Sequence, residues 1–130
     1  MAAQLNHTIV WSSDQTKSAL FLAEMLGRPT PTRFGHFDVV ELDNGVSLDF
    51  ANADGRVRPL HYGFLISEAD FDAVLRRIHE RGLDHWADPM RRDALTDRFK
   101  ARPSQLGGRV LGDRVGNRHP EFFKRVQSLR

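Results

Sequence analysis

Two landmarks recur along this chain at almost one interval. A histidine opens an apolar, strand-like run at His7 in "LNHTIVW" and again at His61 in "PLHYGFLIS", 54 positions later, and a glycine stops a helical pattern at Gly27 and again at Gly82, 55 positions later. Agreement of two independent landmarks within one residue favours duplication over coincidence, so the fold is read as two copies of one supersecondary unit.

In the first copy the strand covers residues 5–11, and Ser13 or Asp14 can cap the helix that follows. Ala19, Leu22, Ala23 and Leu26 fall at i, i+3, i+4 and i+7, with Gly27 as the stop and Pro29 beyond it. The second copy repeats the plan. A strand at 60–66 leads to Ser67 and Asp70 in a capping-box arrangement, then Phe71, Val74, Leu75 and Ile78 at helical spacing, then Gly82.

Between the copies, "FDVVELDNGVSLDFA" carries Asn44-Gly45, a strong hairpin signal, between strand-like segments. A two-residue loop there would pair Glu41 with Leu48 and Val40 with Asp49. Val39, Val46, Leu48 and Phe50 would then share the face that packs under the helix, leaving Asp49 on the other face with Val40 and Leu42. A short strand is expected near 33–35. The second copy is less regular: "LDHWADP" and "GGRVLG" can be strands, residues 90–106 read as a long polar loop, and the pattern fails after that.

Composition narrows the class. A chain of 130 residues, 40% apolar, can build one domain without a staple, so 1–130 is read as a single domain with module one at about 4–56 and module two at about 57–130. The absence of cysteine excludes a disulfide framework, a thiolate metal site and a cysteine nucleophile. No apolar run approaches the roughly 20 residues of a membrane span, and "MAAQLNH" lacks a basic segment before a hydrophobic one, so a soluble cytoplasmic protein is expected. Residues 1–89 hold 8 Lys+Arg and 13 Asp+Glu, whereas residues 90–130 hold 11 and 4. The basic last third raises nucleic-acid binding as a class, but its arginines are dispersed among glycines and acids and no nucleic-acid-binding signature accompanies them.

"LNHTIVW", "LDNGVSLDFA", "LHYGFLIS" and "RGLDHWADP", in this order and spacing, resemble the vicinal oxygen chelate superfamily, which includes glyoxalase I, extradiol dioxygenases, and fosfomycin- and bleomycin-resistance proteins. The resemblance covers roughly residues 4–112. It implies an α+β fold of two paired βαβββ modules forming a curved sheet or cup around a small-molecule site, here with an atypical, helix-capable C-terminus. It also implies a divalent metal, Zn, Fe, Mn, Ni or Co, held by His7 on the first strand of module one, His61 at its counterpart in module two, and Asp49 where four-ligand members often carry glutamate. The last ligand in such proteins is a glutamate on the final strand. Glu121 is the one glutamate after Glu80, but "GDRVGNRHPEFFKRVQSLR" departs from the usual turn and strand, and Pro120, Phe122, Phe123, Val126 and Leu129 can form a short amphipathic helix. Glu121 is therefore both the candidate catalytic carboxylate and the weakest match.

Imidazoles with carboxylates suit these metals and leave positions open for water and substrate. Asp49 can equally be a ligand, a partner orienting an imidazole, or a solvated residue on an open sheet face. His36, His79 and His85 are poorer candidates, and His119 beside Pro120 can be a helix cap or an improvised ligand. Trp11, Tyr62, Phe64 and Trp86 read as core more readily than as a substrate platform. Arg92, Arg98, Lys100 and Arg102 fall in the long loop. The functional expectation is a metal-dependent isomerase, lyase or dioxygenase acting on a small molecule with neighbouring oxygens; the alternative is a metal-free binder of the bleomycin-resistance type. A homodimer is expected from the sheet edges that such modules expose.

Overall fold

The computed structural model describes residues 1–58, 60–83, 85 and 109–115, with the description of His61 and of 109–115 confined to the backbone. The chain divides into two compact units at Val57 and Arg58. The first contains β1 (His7–Ser12), α1 (Gln15–Met25), β2 (Thr32–Phe34), β3 (Phe37–Glu41) and β4 (Ser47–Asn52). The second contains β5 (Leu60–Ile66), α2 (Glu68–Glu80) and β6 (Arg109–Val115). Among the described residues no helix is long and apolar enough to cross a membrane.

In the first unit the strands form a mixed sheet in the order β1-β4-β3-β2, with β1 parallel to β4 and the other neighbours antiparallel. Of the two candidate caps, Asp14 is the one used: its Oδ1 accepts the Lys17 N–H at 3.1 Å, and Ser12 Oγ accepts the Asp14 N–H at 3.1 Å. Ala19, Leu22 and Ala23 are buried as their spacing predicts, while Leu26 is the C-cap and Met25 is buried instead. Val10, Val40, Leu48 and Phe50 form the buried sheet face beneath α1, and full burial of a phenylalanine such as Phe50 stabilises by about 2–3 kcal/mol.

The polar groups in this interface are matched. Gln15 and Asn52 exchange two bonds, the Gln15 N–H to Asn52 Oδ1 at 2.9 Å and the Asn52 N–H to Gln15 Oε1 at 3.0 Å, and the Ser12 and Ser18 hydroxyls meet at 2.6 Å. Among the described residues no buried side-chain nitrogen or oxygen lacks a hydrogen-bond partner, as a stable interior requires.

The hairpin exists but is not the one the dipeptide suggests. Leu42 N–H donates to Val46 C=O at 2.9 Å and Gly45 N–H to Leu42 C=O at 3.2 Å, so the loop is Asp43-Asn44-Gly45 with Gly45 at φ +80°. A three-residue loop ending in a left-handed glycine moves the register by one. Glu41 consequently faces Ser47, Val40 faces Leu48 and Val39 faces Asp49. This corrects the expected pairing: Val40, not Val39, lies under the helix, and Asp49 shares the open face with Val39 and Glu41.

In the second unit Ser67 caps α2, its Oγ accepting the Asp70 N–H at 3.1 Å and donating to Asp70 Oδ2 at 2.6 Å. Phe71, Val74 and Ile78 are the buried stripe of α2. β6 pairs antiparallel with β5, from Leu60 opposite Val115 to Ile66 opposite Arg109. It contains "RVLG" but continues through Val115, so regular structure extends past the point where the sequence pattern fails. Among the described residues β1 takes a parallel neighbour in its unit and β5 an antiparallel one in its own.

Candidate functional site

Alternation along β1 turns Val10 and Ser12 toward α1 and sends His7, Ile9 and Trp11 to the opposite, open face. The parallel register sets Ser47 beside His7, Asp49 beside Ile9 and Ala51 beside Trp11. Two further strands complete the open face, with Glu41 across from Ser47, Val39 across from Asp49, Thr32 across from Val39, and Phe34 across from Phe37. The face is thus graded, from His7, Ser47 and Glu41 at one end to Trp11, Phe37 and Phe34 at the other.

The polar end holds two oriented groups able to ligate a metal. His7 is exposed, and its Nδ1 lies 2.8 Å from Asn6 Oδ1. A carbonyl oxygen can only accept, so Nδ1 carries the hydrogen and the neutral ring presents the Nε2 lone pair, the arrangement a metal-ligating histidine adopts. Ser47 Oγ–H donates to Asp49 Oδ1 at 2.9 Å and fixes the half-buried carboxylate. Asp49 stands two positions along from the residue that faces His7, placing the two Cα atoms about 8 Å apart from strand rise and spacing. At such a separation an imidazole and a carboxylate can share one ion held roughly 2.0–2.2 Å from each.

The apolar end is open. Ile9 is 37%, Trp11 46% and Phe34 74% exposed; in the second unit, by itself, Phe64 is buried at 8%. Trp11 is therefore not core, contrary to expectation; the apolar sequence "IVW" does not distinguish the two sides of β1. Tyr62 is half-buried. Contiguous exposed apolar surface beside polar groups is the character of a binding face.

His61 is the second residue of β5, with its Cα opposite that of Arg114, and its side chain lies outside the description. Glu121, Trp86, His119 and the loop residues Arg92, Arg98, Lys100 and Arg102 lie outside the described residues. Of the four expected ligands, then, the structure brings His7 and Asp49 onto one face. Among the described residues no group of three or more His, Cys, Asp or Glu converges as a metal cage. Ser47 and Glu41 are the open-face residues that sequence reasoning missed. A hydroxyl two residues before Asp49 was a readable signal for Ser47, whereas the register slip hid Glu41.

The only described carboxylate with a resolved shift lies elsewhere, beside the first turn of α1. Burial raises the Asp38 pKa, but hydrogen bonds from Gln15, Thr16 and Arg33 and the Arg33 charge outweigh it, so the group is held below the ordinary carboxylate value of 3.8. Gln15 Nε2–H also donates to His36 C=O at 2.7 Å, which makes this cluster a brace between α1 and the β2–β3 turn.

No family model matches the chain. It is 30% identical over 92 residues to "Glutathione transferase FosA" of Serratia marcescens, an alignment covering 66% of this chain and 65% of that protein, so the chain spans just under two thirds of the length of this curated relative. The solved structure of "Oxidase ChaP-H1" matches with a TM-score of 0.74 at 43% identity, covering 89% of this chain and 98% of the other. "Oxidase ChaP-H2" matches with a TM-score of 0.68 at 51% identity over 71% and 72% of the two chains.

Proposed function

This chain belongs to the vicinal oxygen chelate superfamily and has its α+β, glyoxalase-like fold, and from that membership we propose that it is a divalent-metal-dependent enzyme oxidising a small molecule with neighbouring oxygens. The observation that carries this reading is the pairing of His7 and Asp49 on the open face, each oriented by a neighbouring side chain. The names of the relatives favour oxidation: two solved oxidases are 43% and 51% identical, against 30% for the glutathione transferase.

In this reading His7 Nε2 and an Asp49 oxygen are two ligands, His61 is the third, and Glu121 is the remaining ligand and catalytic carboxylate. Both units serve one functional domain. The bound ion supplies Lewis acidity to paired substrate oxygens or, if it is iron, a common site for substrate and O₂. Asn6 keeps the imidazole in its ligating tautomer. Ser47 holds one carboxylate oxygen so that the other is presented without reorganisation. Ile9, Val39 and Trp11 take the apolar part of the substrate and exclude water from it. A cytoplasmic homodimer is part of the proposal, supported by the cysteine-free composition and by β2, a sheet edge exposed at all three of its residues.

Metal analysis of untagged protein, with and without His7→Ala, tests the reading. Stoichiometric Fe, Mn, Zn, Ni or Co is expected in the native chain and a large loss in the variant, together with a higher Tm on adding the preferred ion, since a ligand of the native state must stabilise it. Protein that holds no metal and gains no stability from any of these ions is instead a metal-free binder.

A further inference from the structure

The turn after α2 brings together two histidines that the proposed centre does not use. Gly82, at φ +58°, donates its N–H to His79 C=O at 3.0 Å, and Leu83 donates to Ile78 C=O at 3.0 Å. This Schellman turn reverses the chain over the last turn of the helix, and the buried Leu83 anchors it. His85 therefore lies beside His79, with the Nε2 atoms 3.3 Å apart and the ring centroids 5.0 Å apart. His79 is exposed and His85 half-buried.

We propose that His79 and His85 form a divalent-cation site of zinc-like preference, the two imidazoles supplying Nε2 ligands and water completing the tetrahedron. His85 Nδ1 lies 3.0 Å from Leu83 C=O and must donate to it, so the neutral ring keeps its lone pair on Nε2, facing His79. His79 meets that lone pair either as an Nε2–H donor or as a second ligand to a shared cation, and the spacing separates these cases. An N–H···N bond prefers about 3.0 Å. An ion roughly 2.0–2.1 Å from each nitrogen in tetrahedral geometry needs them about 3.3 Å apart with ring centroids about 5 Å apart. The 3.3 Å separation is long for a direct hydrogen bond and, with the centroids 5.0 Å apart, has the spacing an ion requires. The site also adjoins the C-terminal end of α2, where the helix dipole favours positive charge. Bound there, the cation clasps the segment after Gly82 to the helix end.

The test uses untagged full-length chain carrying His7→Ala and His61→Ala, so that metal at the proposed functional centre is not counted. In equilibrium dialysis against saturating free zinc, about one exchangeable ion per chain is expected to be bound, falling to background when His79→Gln or His85→Gln is added while the far-UV circular dichroism is unchanged. No zinc on the His7/His61 variant, or retained zinc indifferent to both glutamine substitutions, overturns the site. Imidazole nitrogen NMR on the native chain gives a second readout free of folding effects. Zinc should move the Nε2 resonances of His79 and His85, and resonances unmoved while zinc is bound would also overturn it. Loss of the native chain's metal in His7→Ala with His79 and His85 unaffected reports on the proposed enzyme centre alone.

Discussion

The C-termini of the two helices follow the same hydrogen-bond plan and then diverge at one residue. Arg28 N–H to Ala23 C=O and Gly27 N–H to Glu24 C=O in the first unit correspond, 55 positions on, to Leu83 to Ile78 and Gly82 to His79 in the second. After each glycine the next side chain decides what the turn is for. Arg28 reaches the hairpin, bonding Glu41 C=O at 2.8 Å and pairing with the Asp43 carboxylate, whereas Leu83 is buried and seats His85 against the helix. The helices also differ at two equivalent buried positions. Positions 19 and 23 are alanine in α1, over a sheet that contributes the bulk of Phe50, while the equivalent 74 and 78 in α2 are valine and isoleucine. At these two equivalent positions the repeated frame is thus filled differently, by small side chains in α1 and by branched ones in α2.

The strongest test of this contrast is truncation of the bulk on α2. Ile78→Ala should lower stability by about 3 kcal/mol in urea unfolding, and a loss below 1 kcal/mol would mean that α2 does not carry its own core. Adding bulk to α1 is the converse: Ala23→Ile should cost about 2 kcal/mol through overpacking, so a neutral result would show slack beneath α1. Next comes the brace at the start of α1, for which the second unit has the simpler Ser67–Asp70 cap. Asp38→Asn should cost about 1.5 kcal/mol at pH 7. Because the folded-state pKa of Asp38 is lowered, its contribution is fully present above the unfolded value near 3.8 and is lost as pH falls through the folded value. The difference between wild type and variant should therefore shrink below about pH 4, and a gap that widens in acid would contradict the assignment. The smallest effect tests the equivalence itself: Gly27→Ala and Gly82→Ala should each cost about 1 kcal/mol for placing a side chain at positive φ. Widely unequal values would show that the two turns are not interchangeable.

The repeat was legible because helix periodicity and glycine stops are local signals, and both helices and β5 fall where those signals put them. The hairpin register was not, because "LDNGV" accommodates a loop of either two or three residues. The choice depends on which strand face meets α1, a contact between distant parts of the chain. Asp49 survived the error since its facing depends only on its own neighbours Leu48 and Phe50, whereas Glu41 changed sides. Trp11 was misread because an apolar residue opposite a buried one looks the same in sequence whether covered or open. The meeting of His79 with His85 was invisible for another reason: six residues along a helix they would point apart, and only the turn at Gly82 folds one back on the other.

The reciprocal amide exchange between Gln15 and Asn52 joins the start of α1 to the end of β4, 37 residues later. As the chain is synthesised from its N-terminus, the Asp14 cap and the Asp38 brace can form first, but the Gln15 main-chain N–H must wait for its Asn52 acceptor until the last strand of the unit emerges. Translation must thus deliver the whole first unit before the first turn of its helix completes its hydrogen bonds.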